Sequence, residues 1–288
     1  MKLRAYAKIN WSLDLVGTRE DGYHLLDMIM QSIALHDTLT LEPAEDMQML
    51  AEGPVRVPAG ADNLVLRAAE ALRQQTGCTE GAMIRLRKRI PTGAGLGGGS
   101  SDAAAVLKGL NVLWRLGLSP RRLAEIGLAL GADIPYCLLG SPCRAQGIGE
   151  ALTPFSVQRV YQLVVLQPCR ALSTRQVFTA LAEGQPARHP NTEEVQEALQ
   201  SGNLTRLSAS MGNALQQVAE AFRPEIRQAI SALREHGAKA AQMTGSGSAV
   251  FGVFSNAQAA HTAWESLNKK YRACYLARTL TEPEENCP

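Results

Sequence analysis

Residues 91–102 read Pro-Thr-Gly-Ala-Gly-Leu-Gly-Gly-Gly-Ser-Ser-Asp, so five glycines precede two hydroxyls and a carboxylate. Glycine lets the backbone adopt positive φ and approach a ligand without a Cβ in the way, and successive N–H groups can then converge on one anion. Residues 82–87 alternate between apolar and polar, which predicts a strand, and residues 106–114 carry apolar side chains at helical spacing. A surface linker would need neither flank. The stretch therefore predicts a phosphate-binding loop at the N-terminus of a helix.

The residues around this loop narrow its type. No Gly-Lys dipeptide occurs anywhere in the chain, which excludes a Walker A loop. The helix opens with Ser-Ser-Asp rather than with the third glycine of a dinucleotide-binding fold, and the Asp-Phe-Gly motif of protein kinases is absent. We expect Ser100, Ser101 or Asp102 to cap the first turn of the helix.

Composition sets the class of protein. The 288 residues are 45% hydrophobic, which is enough for one large core or, as we expect, for two joined lobes. The formal net charge of +2 gives no strong basic field, so we expect neither a nucleic acid nor a membrane as partner. The six cysteines form no Cys-x-x-Cys pair, and the chain begins with a strand pattern instead of a signal peptide. These features predict reduced thiols and a cytoplasmic protein.

The first segment alternates cleanly between apolar and polar residues from Leu3 to Leu15, so Lys8 and Asn10 are predicted on the same strand face. A lysine on a strand face is most often merely solvated. Asp21-Gly22 is a strong turn dipeptide, and it places Tyr23 and His24 at the start of a returning strand. We expect that strand to run over 25–33 and a separate strand to follow over 38–42.

An aspartate stands on a break in the helical pattern. Gly131 ends the helix that Ser119-Pro120 starts, and Asp133 follows just before Pro135. On spacing alone, such an aspartate is most often a turn former. A second glycine turn, residues 243–251, lies between two strand patterns, and either a tight structural turn or a ligand-contacting loop fits it.

The second half alternates strand and helix patterns. Strands are predicted over 161–166 and 274–278, and helices over 224–236 and 256–269. Ser255 and Gln258 form a capping-box pattern at the start of the last helix. This order suggests a ferredoxin-like α+β lobe.

Several of these blocks resemble one family. The loop Pro91–Asp102, with the two alanines that follow, is similar to the phosphate loop of the GHMP kinases, small-molecule kinases that include galactokinase, homoserine kinase and mevalonate kinase. Gly-Ala-Asp-Ile-Pro at 131–135 and the turn at 243–251 resemble further blocks of that family. Ala-Lys-Ile-Asn at 7–10 and Asp-Gly-Tyr-His at 21–24 resemble one branch, whose acceptor alcohol is a cytidine diphosphate-linked methylerythritol.

The resemblance implies a two-lobe α+β GHMP kinase fold. Residues 1–155 would form the N-terminal, ribosomal-protein-S5-like lobe that binds ATP, and residues 156–288 the C-terminal ferredoxin-like lobe. The implied reaction transfers the γ-phosphoryl group of ATP, with Mg²⁺, to the 2-hydroxyl of the small-molecule substrate, in isoprenoid precursor synthesis. Asp133 would be the catalytic base, and Lys8 would steady the developing charge and keep Asp133 ionised.

The resemblance also implies binding residues. Those expected to bind ATP are Pro91, Thr92, Gly93, Ala94, Gly95, Leu96, Gly97, Gly98, Gly99, Ser100, Ser101, Asn63 and Lys88. Those expected to bind the substrate are Asn10, Tyr23, His24, Thr174, Phe178, Gly245 and Ser246, with Tyr23 and His24 lining the cytidine pocket. Ser100 or Ser101 would help to hold Mg²⁺ or phosphate.

The sequence departs from the family pattern in two places. Met30 stands where some members have an aromatic residue, which would weaken one wall of the base pocket. Ala214 and Gln216 replace positions that are often acidic, so no carboxylate role can be expected there.

Three other readings stay open. They are a GHMP kinase for another alcohol such as mevalonate or homoserine, a catalytically silent nucleotide-binding module, and an RNA-binding protein on the related ribosomal-protein fold. The near-neutral charge argues against the last. The sequence does not predict an oligomeric state.

Overall fold

A computed structural model describes residues 1–20, 22, 24–58, 60–182 and 189–282. The strands are β1 (Lys2–Thr18), β2 (His24–Ala44), β3 (Met47–Glu52), β4 (Gly81–Arg87), β5 (Cys143–Gly147), β6 (Ala151–Pro154), β7 (Gln162–Leu166), β8 (Gly212–Asn213), β9 (Ala240–Met243), β10 (Val250–Phe254) and β11 (Cys274–Arg278). The helices are α1 (Leu64–Thr76), α2 (Gly98–Leu113), α3 (Pro120–Leu130), α4 (Ile134–Leu139), α5 (Thr174–Ala182), α6 (Thr192–Ser201), α7 (Leu204–Ser210), α8 (Gln216–Phe222), α9 (Glu225–Glu235) and α10 (Ala257–Leu267).

The first sheet has the order β3-β4-β2-β1-β8, and β5 joins it through β2 with β6 beside β5. Its two longest strands, β1 and β2, form an antiparallel pair that positions the residues of the first lobe. The prediction of two separate strands within β2 is wrong, because Leu35 and Asp37 both stay buried and Asp37 pairs with Ala5 across the ladder. The polar pair His36-Asp37 reads like a loop in the sequence although it lies inside the sheet.

Helix ends follow local chemistry in two cases. Asn63 accepts a hydrogen bond from the backbone N–H of Val65 at the start of α1, and Gly77 ends that helix at φ 69°. Ser119 caps α3 in the same way, with Pro120 in its first turn, as the sequence predicts.

Two other predicted caps are wrong. Helix α2 begins at Gly98, immediately after Gly97 at φ 68°, so Ser100, Ser101 and Asp102 lie inside the helix and cap nothing. Glycine takes this left-handed conformation at little cost, and the helix therefore starts earlier than a serine cap would allow. At α10, Asn256 and not Ser255 caps the helix, by accepting from the N–H of Ala259.

The second sheet has the order β11-β7-β10-β9 and is antiparallel throughout. With α9 leading into β9 and α10 joining β10 to β11, this is the strand order of a ferredoxin-like lobe, as predicted. None of the helices in the described part of the chain has the length and hydropathy needed to cross a membrane.

The two sheets meet at β1. Trp11 packs edge-on against Tyr161 and Phe251 of the second lobe, with ring centroids 5.2 and 5.6 Å away. The short strand β8, from the second half of the chain, pairs with β1 at Ser12 and Leu13. The domain boundary at residue 155 stays a prediction, and it would divide the chain near the end of β6.

Candidate active site

The glycine loop between β4 and α2 adopts left-handed backbone at alternate positions. Gly93, Gly95 and Gly97 have φ of 60°, 77° and 68°. A Cβ on Gly95 would lie 2.2 Å from the carbonyl oxygen of Thr244, and one on Gly93 would lie 2.6 Å from Cβ of Ala171. Two of the glycines are therefore required by packing within the protein, before any ligand is considered.

The second glycine turn packs directly on this loop. The N–H of Ala249 donates to the carbonyl of Ala94 at 3.0 Å, and a Cβ on Gly245 would lie 2.9 Å from Cα of Gly95. The loop and the turn form one glycine-lined wall contributed by both lobes. Within it, Ala94 and Leu96 point into the core and are almost fully buried, so their side chains cannot touch a nucleotide.

Lys8 lies beneath the loop on β1. Its backbone N–H donates to the carbonyl of Leu96, and its side chain is 5% exposed. The ammonium donates to Oδ1 of Asn10 at 2.8 Å and lies 3.7 Å from Oδ2 of Asp133. The structure thus brings together Lys8 and Asp133, the two residues expected to be catalytic, and the alternation of β1 explains why Asn10 lies beside them.

Asn10 is fully buried and connects the two lobes. Besides the bond from Lys8, its Oδ1 accepts from the N–H of Gly245 at 3.0 Å and from Oγ1 of Thr244 at 3.2 Å. The N–H of Asn10 donates back to Oγ1 of Thr244. With these partners Asn10 fixes Lys8 relative to the second glycine turn. Thr244 was missed by the sequence analysis, because nothing local links it to a residue 234 positions away.

Asp133 immediately precedes α4 in helical geometry, φ −78° and ψ −14°, and its carboxylate makes no helix-capping hydrogen bond. The side chain is 35% exposed. The carboxylate is therefore not bound to the backbone of the turn, and it faces both solvent and the Lys8 ammonium. A carboxylate held in this way can accept a proton from a bound hydroxyl.

The residues expected at the substrate side lie on β2, α5 and the second turn. The rings of His24 and Phe178 stack, with centroids 5.2 Å apart and an interplanar angle of 20°. The hydroxyls of Thr174 and Ser246 lie 2.8 Å apart and join α5 to the second glycine turn.

Two expectations about the cytidine pocket end differently. Tyr23 lies outside the described residues. Met30 is fully buried in the core that also contains Tyr136 and Cys143, so it forms no open wall of a pocket, and the expectation that it weakens one is wrong.

Two residues expected near the nucleotide base are engaged within the protein. Asn63 is 8% exposed, and its side chain caps α1. Lys88 is 1% exposed, and its ammonium is enclosed by the carboxylates of Asp37 and Asp102. Lys88 therefore has no exposed charge to offer a nucleotide, and direct contact with ATP is excluded in this conformation.

The two acidic partners of Lys88 were missed by the sequence analysis. Asp102 accepts from Lys88 at 2.7 Å through Oδ2, while its buried Oδ1 has no partner among the described residues. The pKa of the Asp102 carboxyl is raised to about 8, mainly by burial; the nearby Lys88 ammonium lowers it and Asp37 adds to the rise. The sign in the sequence that Asp102 is buried is the run of alanines that follows it on the helix.

The two serines of the loop face different surroundings. Ser100 is partly exposed in the first turn of α2. Ser101 is 5% exposed and lines a cavity of about 40 Å³ together with Arg4 and Lys108. No group of three or more His, Cys, Asp or Glu side chains that could hold a metal ion occurs in the part of the chain that the structure describes.

Two known protein families match this chain, one in each half. Residues 63–141 match the family described as GHMP kinases N terminal domain, and residues 195–273 match GHMP kinases C terminal. A 4-diphosphocytidyl-2-C-methyl-D-erythritol kinase from Alkaliphilus metalliredigens is 42% identical over 98% of this chain and 97% of its own length. Proteins of the same name from Symbiobacterium thermophilum and Clostridioides difficile are 40% and 38% identical, over 97% and 100% of this chain and 100% and 98% of their own lengths.

Solved structures agree on the fold. A crystal structure of 4-(cytidine 5'-diphospho)-2C-methyl-D-erythritol kinase has a TM-score of 0.82 at 34% identity and covers 97% of this chain and 99% of its own. An L. major mevalonate kinase and a Cytophaga hutchinsonii homoserine kinase each have a TM-score of 0.73, at 18% and 15% identity, over 98% of this chain and 96% of theirs. The latter two show the fold alone. The two-lobe α+β architecture predicted from the sequence is confirmed.

Proposed function

Because the chain belongs to the 4-diphosphocytidyl-2-C-methyl-D-erythritol kinases within the GHMP kinases, we propose that it phosphorylates that alcohol from ATP. The γ-phosphoryl group is transferred to the 2-hydroxyl, which gives the 2-phosphate and ADP, as a step in non-mevalonate isoprenoid precursor synthesis. The observation that carries the proposal is the meeting of Lys8 and Asp133 beside the glycine loop, with 3.7 Å between ammonium and carboxylate.

The chemistry follows from that arrangement. As the oxygen of the 2-hydroxyl bonds to the γ-phosphorus, the bond from that phosphorus to the bridging oxygen of ADP breaks, and ADP takes the electron pair. Asp133 accepts the hydroxyl proton. The Lys8 ammonium offsets the charge that develops on the transferred group. Asn10 holds the Lys8 ammonium in place through its 2.8 Å hydrogen bond.

The phosphates of ATP are assigned to the backbone of the glycine loop. Gly97, Gly98 and Gly99 lead into α2, whose 16 residues place the positive end of a helix dipole at this point. Among the residues expected to bind ATP, Thr92, Gly93 and Gly99 are exposed and open to a ligand. Asn63 and Lys88 are instead proposed to act without contacting ATP. Asn63 caps α1, and Lys88 supports the loop.

Magnesium fits one of the two serines. A hydroxyl oxygen is the hard donor that Mg²⁺ prefers, and Mg²⁺ bound to nucleotides takes its remaining positions from phosphate oxygens and water. Ser100 presents such a hydroxyl in the exposed first turn of α2, whereas the cavity at Ser101 also contains the cations Arg4 and Lys108, which disfavour a metal ion. We therefore assign Mg²⁺ to Ser100. The ion would supply neutralisation of the phosphate charge.

The acceptor is assigned to the side of His24, Phe178 and the Thr174–Ser246 contact. Aromatic faces stack on nucleobases, and a histidine can hydrogen-bond their edges. Tyr23 is proposed to complete this pocket. Asn10 and Gly245, also expected on the substrate side, are buried, so we propose that they hold the Lys8 ammonium and the second glycine turn in place beside the methylerythritol. A small-molecule partner, with no nucleic acid, agrees with the net charge of +2, and free thiols at all five described cysteines support a cytoplasmic location.

The proposed base pocket predicts that Phe178→Ala weakens binding of the cytidine substrate by about 5- to 150-fold, because a stacked base contributes roughly 1–3 kcal/mol. The affinity for ATP should not change. Steady-state KM for each substrate measures both effects. Phe222→Ala, at an exposed phenylalanine on α8, is the matched control and should leave both KM values unchanged. Equal KM values for the alcohol in the Phe178→Ala variant and the unmodified enzyme would exclude Phe178 from the pocket.

A coupled assay of ADP release across a panel of alcohols tests the function itself. We expect turnover with the cytidylylated substrate and little with 2-C-methyl-D-erythritol 4-phosphate, which lacks the base. Equal efficiency with both would mean that the base is not recognised. Turnover with mevalonate or homoserine alone would replace the proposed acceptor by that of another GHMP kinase, and no turnover with any alcohol would favour a silent nucleotide-binding module.

A further inference from the structure

Three buried ionisable side chains lie behind the glycine loop. Asp37 on β2, Lys88 after β4 and Asp102 on α2 are each no more than 2% exposed, and both carboxylates bind the same Lys88 ammonium. We call these three residues the clasp. Asp37 and Asp102 lie 51 and 14 positions from Lys88 in the sequence, so the clasp joins β2, the end of β4 and α2 at one point.

The clasp holds both ends of the glycine loop. Lys88 lies three residues before the loop begins at Pro91, and Asp102 lies in the second turn of α2, into which the loop passes at Gly98. Asp37 also binds the chain as it enters the loop, because its Oδ1 accepts from the N–H groups of Arg89 and Ile90. These bonds fix where the loop starts and where it ends, and with them the distance that residues 89–101 must span.

The clasp also lies directly under the start of α2. A Cβ built on Gly98 would be 3.0 Å from the Lys88 ammonium nitrogen, so the ammonium contacts the first residue of the helix. A shift of Lys88 would therefore be transmitted to the N–H groups at the N-terminus of α2. These are the donors that the proposed function assigns to the phosphates.

Stability alone is a poor reason for such a cluster. Removing charges from water is expensive, and apolar side chains of similar size often stabilise a core as well or better. Here two carboxyl groups share one ammonium, and one oxygen of Asp102 is buried with no hydrogen-bond partner among the described residues. What the cluster provides, and an apolar core would not, is a directional connection between the two ends of the loop.

We propose that Asp102 is a positioning residue for ATP, which holds the far end of the glycine loop on Lys88 so that the loop N–H groups converge on the phosphates. The proposal rests on the proposed function, since it assigns ATP to this loop. It concerns the affinity for ATP and not the chemical step, because the clasp is separated from solvent and touches no reacting atom.

The test compares Asp102→Ala with Asp102→Asn. The alanine variant leaves the Asp37 carboxylate paired with the Lys88 ammonium, so the lysine keeps a charge partner while the connection to α2 is lost. We expect its Kd for ATP, by calorimetry without the alcohol, and its KM for ATP to rise by about 3- to 30-fold. kcat at saturating ATP and KM for the alcohol should stay unchanged. Asp102→Asn keeps an oxygen that accepts from Lys88 and should restore most of the affinity.

Asp27→Ala is the matched control. Asp27 is also buried, and its carboxylate forms a bidentate pair with Arg144 of the neighbouring strand β5, at 2.6 and 2.8 Å, and not with a residue of the clasp. We expect it to lower the melting temperature with no change in ATP affinity.

Three outcomes are distinguishable. A folded Asp102→Ala protein that binds ATP as tightly as the unmodified protein would overturn the proposal and leave the clasp a stabilising role only. Equal losses in the alanine and asparagine variants would overturn it too, because asparagine keeps the bond to Lys88. Failure of the unmodified protein to bind ATP would instead refute the proposed function.

Discussion

Asp133→Asn is expected to lower kcat by about 10²- to 10⁴-fold while the Kd for ATP stays near that of the unmodified enzyme. Asparagine has the shape of aspartate but cannot accept the proton of the attacking hydroxyl. Asp133 makes no capping hydrogen bond that the change would remove, so α4 should keep its conformation. Single-turnover kinetics at saturating substrates measure the chemical step directly.

A control variant and one contrary outcome test the role of Asp133. Asp62→Asn alters an exposed aspartate before α1 and should leave kcat unchanged. If a correctly folded Asp133→Asn enzyme turned over at a near-normal rate, Asp133 would not be the catalytic base. Lys8 would then remain as the charge-stabilising group of a mechanism that needs no protein base.

The parts of the fold that could be predicted from the sequence are those with a local cause. Alternation along β1 places Lys8 and Asn10 on one face, and the caps of α1 and α3 follow from Asn63 and Ser119. The last strand, Cys274–Arg278, agrees residue for residue. In each case the determining interaction lies within a few residues, where propensity and hydrogen bonding are sufficient.

The errors have a non-local cause. The polar pair in the middle of β2 looks like a break, yet Asp37 stays in the strand because Lys88 and the backbone of Arg89 satisfy its carboxylate. Helix α2 starts without a serine cap because Gly97 is held in left-handed geometry beside Lys8. Tertiary partners decided both positions, and no window of sequence contains them.

In the site, too, some features could be predicted from the sequence and others could not. The motif residues of the loop could be found from the sequence, but the reason for individual glycines could not, since Gly95 is required by the backbone of Thr244 rather than by a ligand. Asp102 belongs to the Ser-Ser-Asp motif, but nothing in that motif indicates an ion pair, and its bond to Lys88 is seen only in the folded structure.

The glycine loop gives the second large effect, at Gly97. Gly97→Val is expected to weaken ATP binding by about 100-fold or more, a loss of roughly 2.8 kcal/mol. Gly97 has φ 68°, where a β-branched residue is strained, and its Cβ would lie 2.9 Å from Cγ and 3.3 Å from Cε of Lys8. Valine must therefore move either the loop, with its phosphate-facing N–H groups, or the lysine that supports the reaction.

Gly117→Val separates the collision at Gly97 from backbone strain. Gly117 has nearly the same backbone, φ 66°, but a Cβ there would meet nothing within 4 Å, and it lies in the loop between α2 and α3, away from the site. Both variants should lose stability because both place valine in the left-handed region, and Gly97→Val should lose more because of its collision with Lys8. Only Gly97→Val should lose ATP in calorimetry. Unchanged nucleotide affinity in a folded Gly97→Val protein would mean that the glycine loop does not bind the phosphates, since neither its N–H groups nor Lys8 could then be making the contact that valine disrupts.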